Sequence, residues 1–222
     1  MDSKFHNRRQ AGQLLSQRLE QQSWNQTGWV LALPRGGVPI GYEIACSLNW
    51  PLDVWLVRKL GVPNQPELAM GAIAAPNTQV INQDLIKRLN VSEEQLLATT
   101  QAETKELARR DRSYRQGSPL PNIVNRPVIV VDDGLATGAT LQAAILAIQN
   151  FHPDSITVAV PVAAPGSLQK IQRLVDKVVC LAMPELMGAI SQWYVRFNAV
   201  SDQEVVELLK DANQSRRTLT DE

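Results

Sequence analysis

Apolar residues along this chain fall into two rhythms that alternate. Five short, nearly continuous apolar runs stand out: WVLAL (29–33), LDVWLV (52–57), PVIVV (127–131), SITVAVPVA (155–163) and KVVCLAM (177–183). Runs of this length with many β-branched residues predict strands covered on both faces. Between them the apolar positions recur at helical spacing. Residues 5–21 place Ala11, Leu14, Leu15, Arg18 and Leu19 along one side, and 40–48, 92–113, 139–150 and 167–175 are predicted helices. Ser92-Glu93-Glu94-Gln95 and Ser201-Asp202-Gln203-Glu204 read as capping boxes, the second opening a final helix through Leu209. Glu106 and Arg110 form a favourable i,i+4 pair on the long helix. RKLGVP (58–63) leads into a turn-rich stretch, and 67–76 and 78–81 read as irregular or antiparallel structure. Pro, Asn and Gly at 117–127 punctuate the chain, and the polar tail after Lys210 is expected to fray.

Repeated strand-then-helix units predict an α/β fold: a mostly parallel twisted sheet with helices on both faces, joined by right-handed crossovers. Its ligand crevice should lie outside the carboxyl ends of the strands. The length, 222 residues, suits a single domain over 1–222. Lys+Arg and Asp+Glu both total 22, so nothing in the overall balance draws the protein to nucleic acid or to an anionic membrane. Any anion must be held by local geometry. Cys46 and Cys180 read as two buried free thiols of a reducing compartment, with a disulfide as the alternative, and with His6 and His152 they make a poor zinc set. No apolar stretch is long enough to span a bilayer, and the start lacks the apolar core of a secretory signal, so a cytoplasmic location is expected.

The segment with most chemistry is VIVVDDGLATGAT (128–140). Four β-branched residues leave the sheet at Asp132 and Asp133. Gly134, Ala136 and Gly138 keep the turn small, so that backbone amides can approach an anion. Thr137 and Thr140 offer hydroxyls, and a helix beginning near Ala139 adds partial positive charge. The two carboxylates suit vicinal sugar hydroxyls, or Mg²⁺ and its waters, better than they suit the phosphate itself. The plain alternative is a tight strand–helix connection whose polar side chains only satisfy backbone donors. Adjacent aspartates argue against it, because like charges repel unless something compensates.

This segment resembles the signature of the type I phosphoribosyltransferase family: four apolar residues, an acidic pair, a short spacer and Thr-Gly-x-Thr. The resemblance covers roughly residues 25–185 and implies a Mg²⁺-dependent transferase that uses 5-phosphoribosyl 1-diphosphate (PRPP). By that resemblance Asp132 and Asp133 face the ribose hydroxyls. Ala136, Thr137, Gly138, Ala139 and Thr140 wrap the 5-phosphate. The diphosphate loop after the first strand is PRGG, with Arg35, Gly36 and Gly37, and a non-proline cis peptide is expected at Arg35–Gly36. The same resemblance implies a homo-oligomer, a small nitrogenous acceptor, and a hood insert at 64–115 in which Glu67, Met70 and Gly71 begin the stretch. In some relatives a spacer residue is acidic and handles a proton; Gly134, Leu135 and Ala136 offer no such group.

Physics alone gives Arg35 a role, since a guanidinium beside two glycines can meet a diphosphate bidentately, and this is preferred over the alternative of a surface arginine in a turn. Arg58 and Lys59 follow the second strand and could add charge there, or be solvated. Arg109, Arg110, Arg112 and Arg115 cluster near the end of the insert, by default a solvated helix face. In 182–197, Trp193 and Tyr194 could stack on a flat ring, with packing preferred for Trp193. Phe197 carries less signal, and Trp24, Trp29, Trp50 and Trp55 are assigned to packing. A PRPP-binding regulator without strong catalysis is the competing reading. A P-loop or a dinucleotide fold is disfavoured, because neither GxxxxGK[ST] nor GxGxxG is present in place.

Overall fold

A computed structural model describes residues 4–74 and 78–220, with side chains described at 4–65, 68–74 and 78–214. Its centre is a five-stranded, wholly parallel sheet in the order β2-β1-β6-β7-β8, formed by β1 (Trp29–Ala32), β2 (Leu52–Val54), β6 (Pro127–Val131), β7 (Ser155–Val162) and β8 (Lys177–Ala182). Alternation along these strands sends side chains to two separate cores. Val30, Ala32, Ile129, Val131 and Ala159 face helices α1 (Arg8–Glu20), α2 (Gly37–Leu48) and α7 (Asp202–Thr220), meeting Leu15, Leu19, Ile40, Ile44, Val205 and Leu209. Leu31, Val128, Val130, Ile156, Val158 and Val160 face the other way, onto Leu141, Ala144 and Ile148 of α5 (Ala139–Gln149) and Leu168 and Ile171 of α6 (Pro165–Gln172). The central apolar runs of the sequence are therefore strands with no wet face, whereas the edge strand β8 is only half-buried. The expected fold class holds, whereas the cysteines expected to be buried are not: Cys46 is exposed and Cys180 half-buried, and both are free. No helix among the described residues is long and apolar enough to cross a membrane.

The second predicted strand is shorter than 52–57. The chain leaves the main sheet at Trp55, whose amide donates to Ala32 O at 2.9 Å, and Val57 already belongs to another sheet. That sheet is antiparallel, in the order β3 (Val57–Val62), β4 (Gln65–Ala74), β5 (Thr78–Ile81), so RKLG at 58–61 is strand rather than turn. Alternation was hidden there by a register shift on either side of Gly61. Helices α3 (Gln83–Arg88) and α4 (Glu93–Arg115) complete the insert, and Leu60, Val62, Met70, Ile73 and Leu85 form a small core of its own. This antiparallel unit starts at Val57, ahead of the expected boundary at 64. The capping box at Ser92 and Gln95 is formed, while α3 was missed because six residues carry too little periodicity to register.

Helix α7 continues to Thr220 instead of ending near Leu209. Two tertiary contacts hold the part expected to fray. Ala212 is buried, and Asn213 bonds to Leu52 in both directions, its Oδ1 accepting from the amide at 3.3 Å and its Nδ2 donating to the carbonyl at 2.9 Å. A side-chain amide thereby stands in for the missing neighbour of the edge strand β2. Close by, Arg115 is nearly enclosed. It pairs with Asp53 of β2 at 3.2 Å, contacts Asp111, and donates to Val54 O at 2.5 Å. Burial pushes the Asp53 carboxyl up, against the pull of Arg115. This pair holds the end of α4 to the main sheet, so Arg115 is not a free member of the basic cluster. Arg115→Met leaves Asp53 buried without its partner and should cost about 3–5 kcal/mol of stability, measurable by urea unfolding.

Candidate functional site

The sheet order places a topological switch between β1 and β6. From β1 the chain crosses through α2 to β2 on one side, and it later returns as β6 on the other. The loops leaving β1 and β6 must then part over a common crevice. Register fixes how they start: Ala32 pairs with Val131, and the Leu33 amide donates to Val131 O at 2.8 Å. Pro34-Arg35-Gly36-Gly37 and Asp132-Asp133 therefore leave the sheet side by side. The fit is tight enough to demand glycine. A Cβ on Gly36 would lie 2.0 Å from Asp133 Oδ2, and one on Gly37 would lie 2.5 Å from Val131 O. The loop contains a non-proline cis peptide, at Pro34–Arg35 and not at the expected Arg35–Gly36. Only the neighbourhood of that bond was legible, since Pro34 gives no local cue to the isomer on its carboxyl side.

The turn after β6 is pinned at its middle and open at its end. Leu135 is buried; its amide donates to Val162 O at 2.8 Å, and its carbonyl accepts from Ala164 N at 2.8 Å. Ser167 Oγ donates to Ala136 O at 2.5 Å. Gly134 lies under Ile190, where a Cβ would fall 2.7 Å from a side-chain carbon. The spacer without a titrating group is thus a structural anchor. Beyond it Thr137 and Thr140 are exposed, and Ala136, Gly138 and Ala139 are half-buried. Gly138 takes φ +80° as the N-cap of α5, no side chain caps this helix, and its first turn holds no acidic residue. The backbone amides of that turn remain available to an external anion.

The acidic pair is held from the opposite end of the chain. Asp132 Oδ1 accepts from the Asp133 amide at 2.8 Å. Asp133 Oδ2 receives Arg8 through Nε at 2.9 Å and Nη2 at 2.8 Å. Arg8 in turn lies with its guanidinium carbon 3.7 Å from the centre of the Phe197 ring, and its Nη1 donates to Asn198 O at 2.7 Å. The Tyr194 hydroxyl donates to Asp133 O at 2.7 Å, and Trp193 Nε1 donates to Met187 O at 2.8 Å. Tyr194 is buried and braces the acidic loop, leaving no free face for stacking, whereas Trp193 is half-buried and is tied to Met187. Burial, then repulsion by Asp133, holds the Asp132 carboxyl well above the usual range; burial also raises Asp133, with Arg8 pulling it back. Arg8 was not singled out in the sequence, and Phe197, given little signal there, is the ring beneath it. Arg8 sits 125 positions from Asp133, and nothing local marks an arginine in the first turn of a helix as its partner.

The remaining sequence candidates are dispersed. Arg58 pairs with Glu103 of α4 at 2.5 Å, and Lys59 is its neighbour on β3 in the insert, so both belong to that substructure. Arg35 reaches from the β1 loop toward Asp202, 3.7 Å from its Oδ1. Arg110 is bonded to Glu106 at 2.8 Å, and Arg112 is exposed. The side chain of Glu67 lies outside the described residues. Two recesses, of about 900 and 440 Å³, open at the amino ends of the strands, beside Trp29 and Leu52 and beside Pro127 and Lys177. The first is lined by the paired Asp53 and Arg115. At the carboxyl ends, uncapped helix amides, a glycine loop and perturbed carboxylates meet. For Mg²⁺, Asp132 and Asp133 are a fitting donor set, because this ion is commonly held by one or two carboxylates with ligand oxygens and water completing its shell. No group of three or more His, Cys, Asp or Glu able to hold a metal occurs among the described residues.

The phosphoribosyl transferase domain family matches residues 5–197. Two Mycobacterium tuberculosis proteins (strains H37Rv and CDC 1551), whose names assign them to the phosphoribosyl transferases, are 41% identical over 210 residues. Those matches cover 95% of this chain and 47% of each relative, so the chain spans about half of their length. TT1426 from Thermus thermophilus superposes with a TM-score of 0.82 at 34% identity, covering 94% of this chain and 98% of that one.

Two outcomes follow from the geometry. Gly36→Ala drives a methyl into the Asp133 carboxylate and should separate the two loops, seen as a lowered Tm. Asp132→Asn should stabilise the ligand-free protein by about 1 kcal/mol at pH 7.5, by removing one of two crowded charges. The sign with pH is fixed by the raised carboxyls. A carboxyl raised in the folded state contributes stability that is full below the ordinary aspartate value of 3.8 and is lost as pH rises through the folded value. The advantage of Asp132→Asn should therefore shrink on acidification toward 3.8, as followed by urea unfolding across pH.

Proposed function

The chain belongs to the phosphoribosyl transferase domain family, and on that premise we propose that it moves the 5-phosphoribosyl group of PRPP to a small nitrogenous acceptor and releases diphosphate. The observation that carries this reading is the contact between the two loops at the switch point, where Gly36 touches the Asp133 carboxylate. One ligand reaching from the α5 amides across the acidic pair to the PRGG loop would match a molecule with a phosphate at one end, a sugar between and a diphosphate at the other.

Each residue then has a task. Amides of Thr137, Gly138, Ala139 and Thr140, with the two threonine hydroxyls, hold the 5-phosphate, and the small side chain of Ala136 leaves room for it. Asp132 and Asp133 accept hydrogen bonds from the ribose hydroxyls and so fix C1 in space. Arg35 and the backbone at Gly36 and Gly37 meet the diphosphate. As the bond from C1 to the diphosphate oxygen breaks, charge of opposite sign grows on the two fragments, and donors already in place stabilise it without reorganising. The acceptor nitrogen supplies the electron pair for the new bond to C1, and its proton leaves to solvent or to the acceptor's own framework, since the spacer holds no base. Mg²⁺ bound at Asp132 and Asp133 would neutralise part of the phosphate charge. Residues 57–115, with α4 against β3, would act as the hood that keeps water from the reacting carbon. Arg58 and Lys59 would contribute charge to that hood.

Calorimetry with PRPP and Mg²⁺ is the direct test. Wild-type protein should bind, and the double substitution Asp132→Asn with Asp133→Asn should weaken binding at least a hundredfold, as lost charge-assisted hydrogen bonds of about 1.5–3 kcal/mol each imply. Absence of magnesium-dependent PRPP binding by the folded wild type rejects the proposal. Diphosphate release measured with purine and pyrimidine bases then identifies the acceptor; tight PRPP binding without release for any acceptor points to a sensor in place of an enzyme.

A further inference from the structure

Two guanidinium groups from distant parts of the chain converge on one carboxylate beside the PRGG loop. Arg35 Nη1 lies 3.7 Å from Asp202 Oδ1, and Arg109 Nη1 lies 3.9 Å from Asp202 Oδ2. Neither is a hydrogen bond at that separation. The residue that grips Asp202 is Tyr114, whose hydroxyl donates to Oδ1 at 2.6 Å. Burial, followed by that bond to Asp202, pushes the Tyr114 phenol up to about 12, so it stays a donor across the physiological range. Asp202 is the first residue of α7, where helix charge favours a carboxylate. The anion is fixed, and the two cations only lean on it.

The cations also differ from the arginines around them. Arg115 is enclosed with Asp53, and Arg110 is turned onto Glu106. Arg109 gives Nε and Nη2 to Glu106, at 2.7 and 3.0 Å, which leaves Nη1 aimed at Asp202. Arg35 and Arg109 are 44% and 53% exposed and can change partner by rotation alone. Without the carboxylate between them they would repel. A diphosphate carries more charge and more acceptor oxygens than one carboxylate, and it can bridge two guanidinium groups.

We propose that Asp202 is a built-in competitor for the diphosphate: it keeps Arg35 of the β1 loop and Arg109 of the hood together until diphosphate takes both of them over. Arg109 is then the hood's ligand for the leaving group, and Tyr114 the positioning residue that holds Asp202 in place. The inference rests on the phosphoribosyl transfer reading, because that reading makes the PRGG loop the diphosphate end of the crevice.

Calorimetric titrations with magnesium diphosphate and, separately, with ribose 5-phosphate test it on wild type, Asp202→Asn, Arg109→Gln and the double variant, each checked by thermal unfolding. Asp202→Asn retains an acceptor for Tyr114 but loses the charge, and should tighten diphosphate binding severalfold. Arg109→Gln should weaken it roughly tenfold, and the gain from Asp202→Asn should shrink in the double variant. Ribose 5-phosphate affinity should stay constant throughout. Unchanged or weaker diphosphate binding by Asp202→Asn overturns the competitor role. Equal losses for both ligands in Arg109→Gln, or no loss at all, overturn the role of Arg109. Wild type that binds neither ligand rejects the phosphoribosyl reading itself, whereas wild type that binds ribose 5-phosphate with Arg109→Gln silent rejects this inference alone.

Discussion

The register between Ala32 and Val131 sets everything above the sheet. It brings two loops, separated by almost a hundred residues, out of neighbouring strands at one height. Gly36 then meets the Asp133 carboxylate and Gly37 the Val131 carbonyl so closely that only glycine fits at either position. A slip of one residue would exchange the two apolar faces and also move Asp132 and Asp133 off the loop they touch. The packing of ordinary valines and the placement of the charged groups are therefore one constraint. The all-parallel sheet enforces it, because both faces of β1 and β6 are enclosed and neither strand can shift without exposing apolar side chains.

On that frame the protein keeps two carboxylates in an environment that disfavours their charge. Arg8 offsets part of the cost at Asp133, while Asp132 is helped mainly by the Asp133 backbone amide and only at a distance by Arg8. This is the usual conflict between stability and binding: a group kept uncomfortable in the free protein gains more from a ligand that relieves it. Arg8, Phe197 and Tyr194 supply the support. They show that the N-terminal helix and the segment after β8 shape the crevice as directly as the signature loop does.

Much of this was legible in the sequence, for physical reasons that differ by element. The parallel strands showed themselves as unbroken apolar runs, and α4 by its capping box and length. The signature loop was legible because small residues, hydroxyls and paired acids meet within a dozen positions. What stayed hidden was tertiary. Arg8 reaches Asp133 through space, Tyr194 turned out to be a brace, and Arg109 stood out from Arg110 and Arg115 only through the partners the fold supplies. Strand β3 was hidden by its irregular register at Gly61, and the far part of α7 by polar composition that gives no hint of Asn213 meeting Leu52.

That last contact bears on how the molecule behaves in a crowded solution. An outermost strand presents unpaired amides and carbonyls to any passing chain, an invitation to intermolecular sheet growth. Here a single asparagine of α7 answers both polar groups of Leu52. The polar sequence of α7 conceals that it both adds to the core and closes one site on an edge open to other chains.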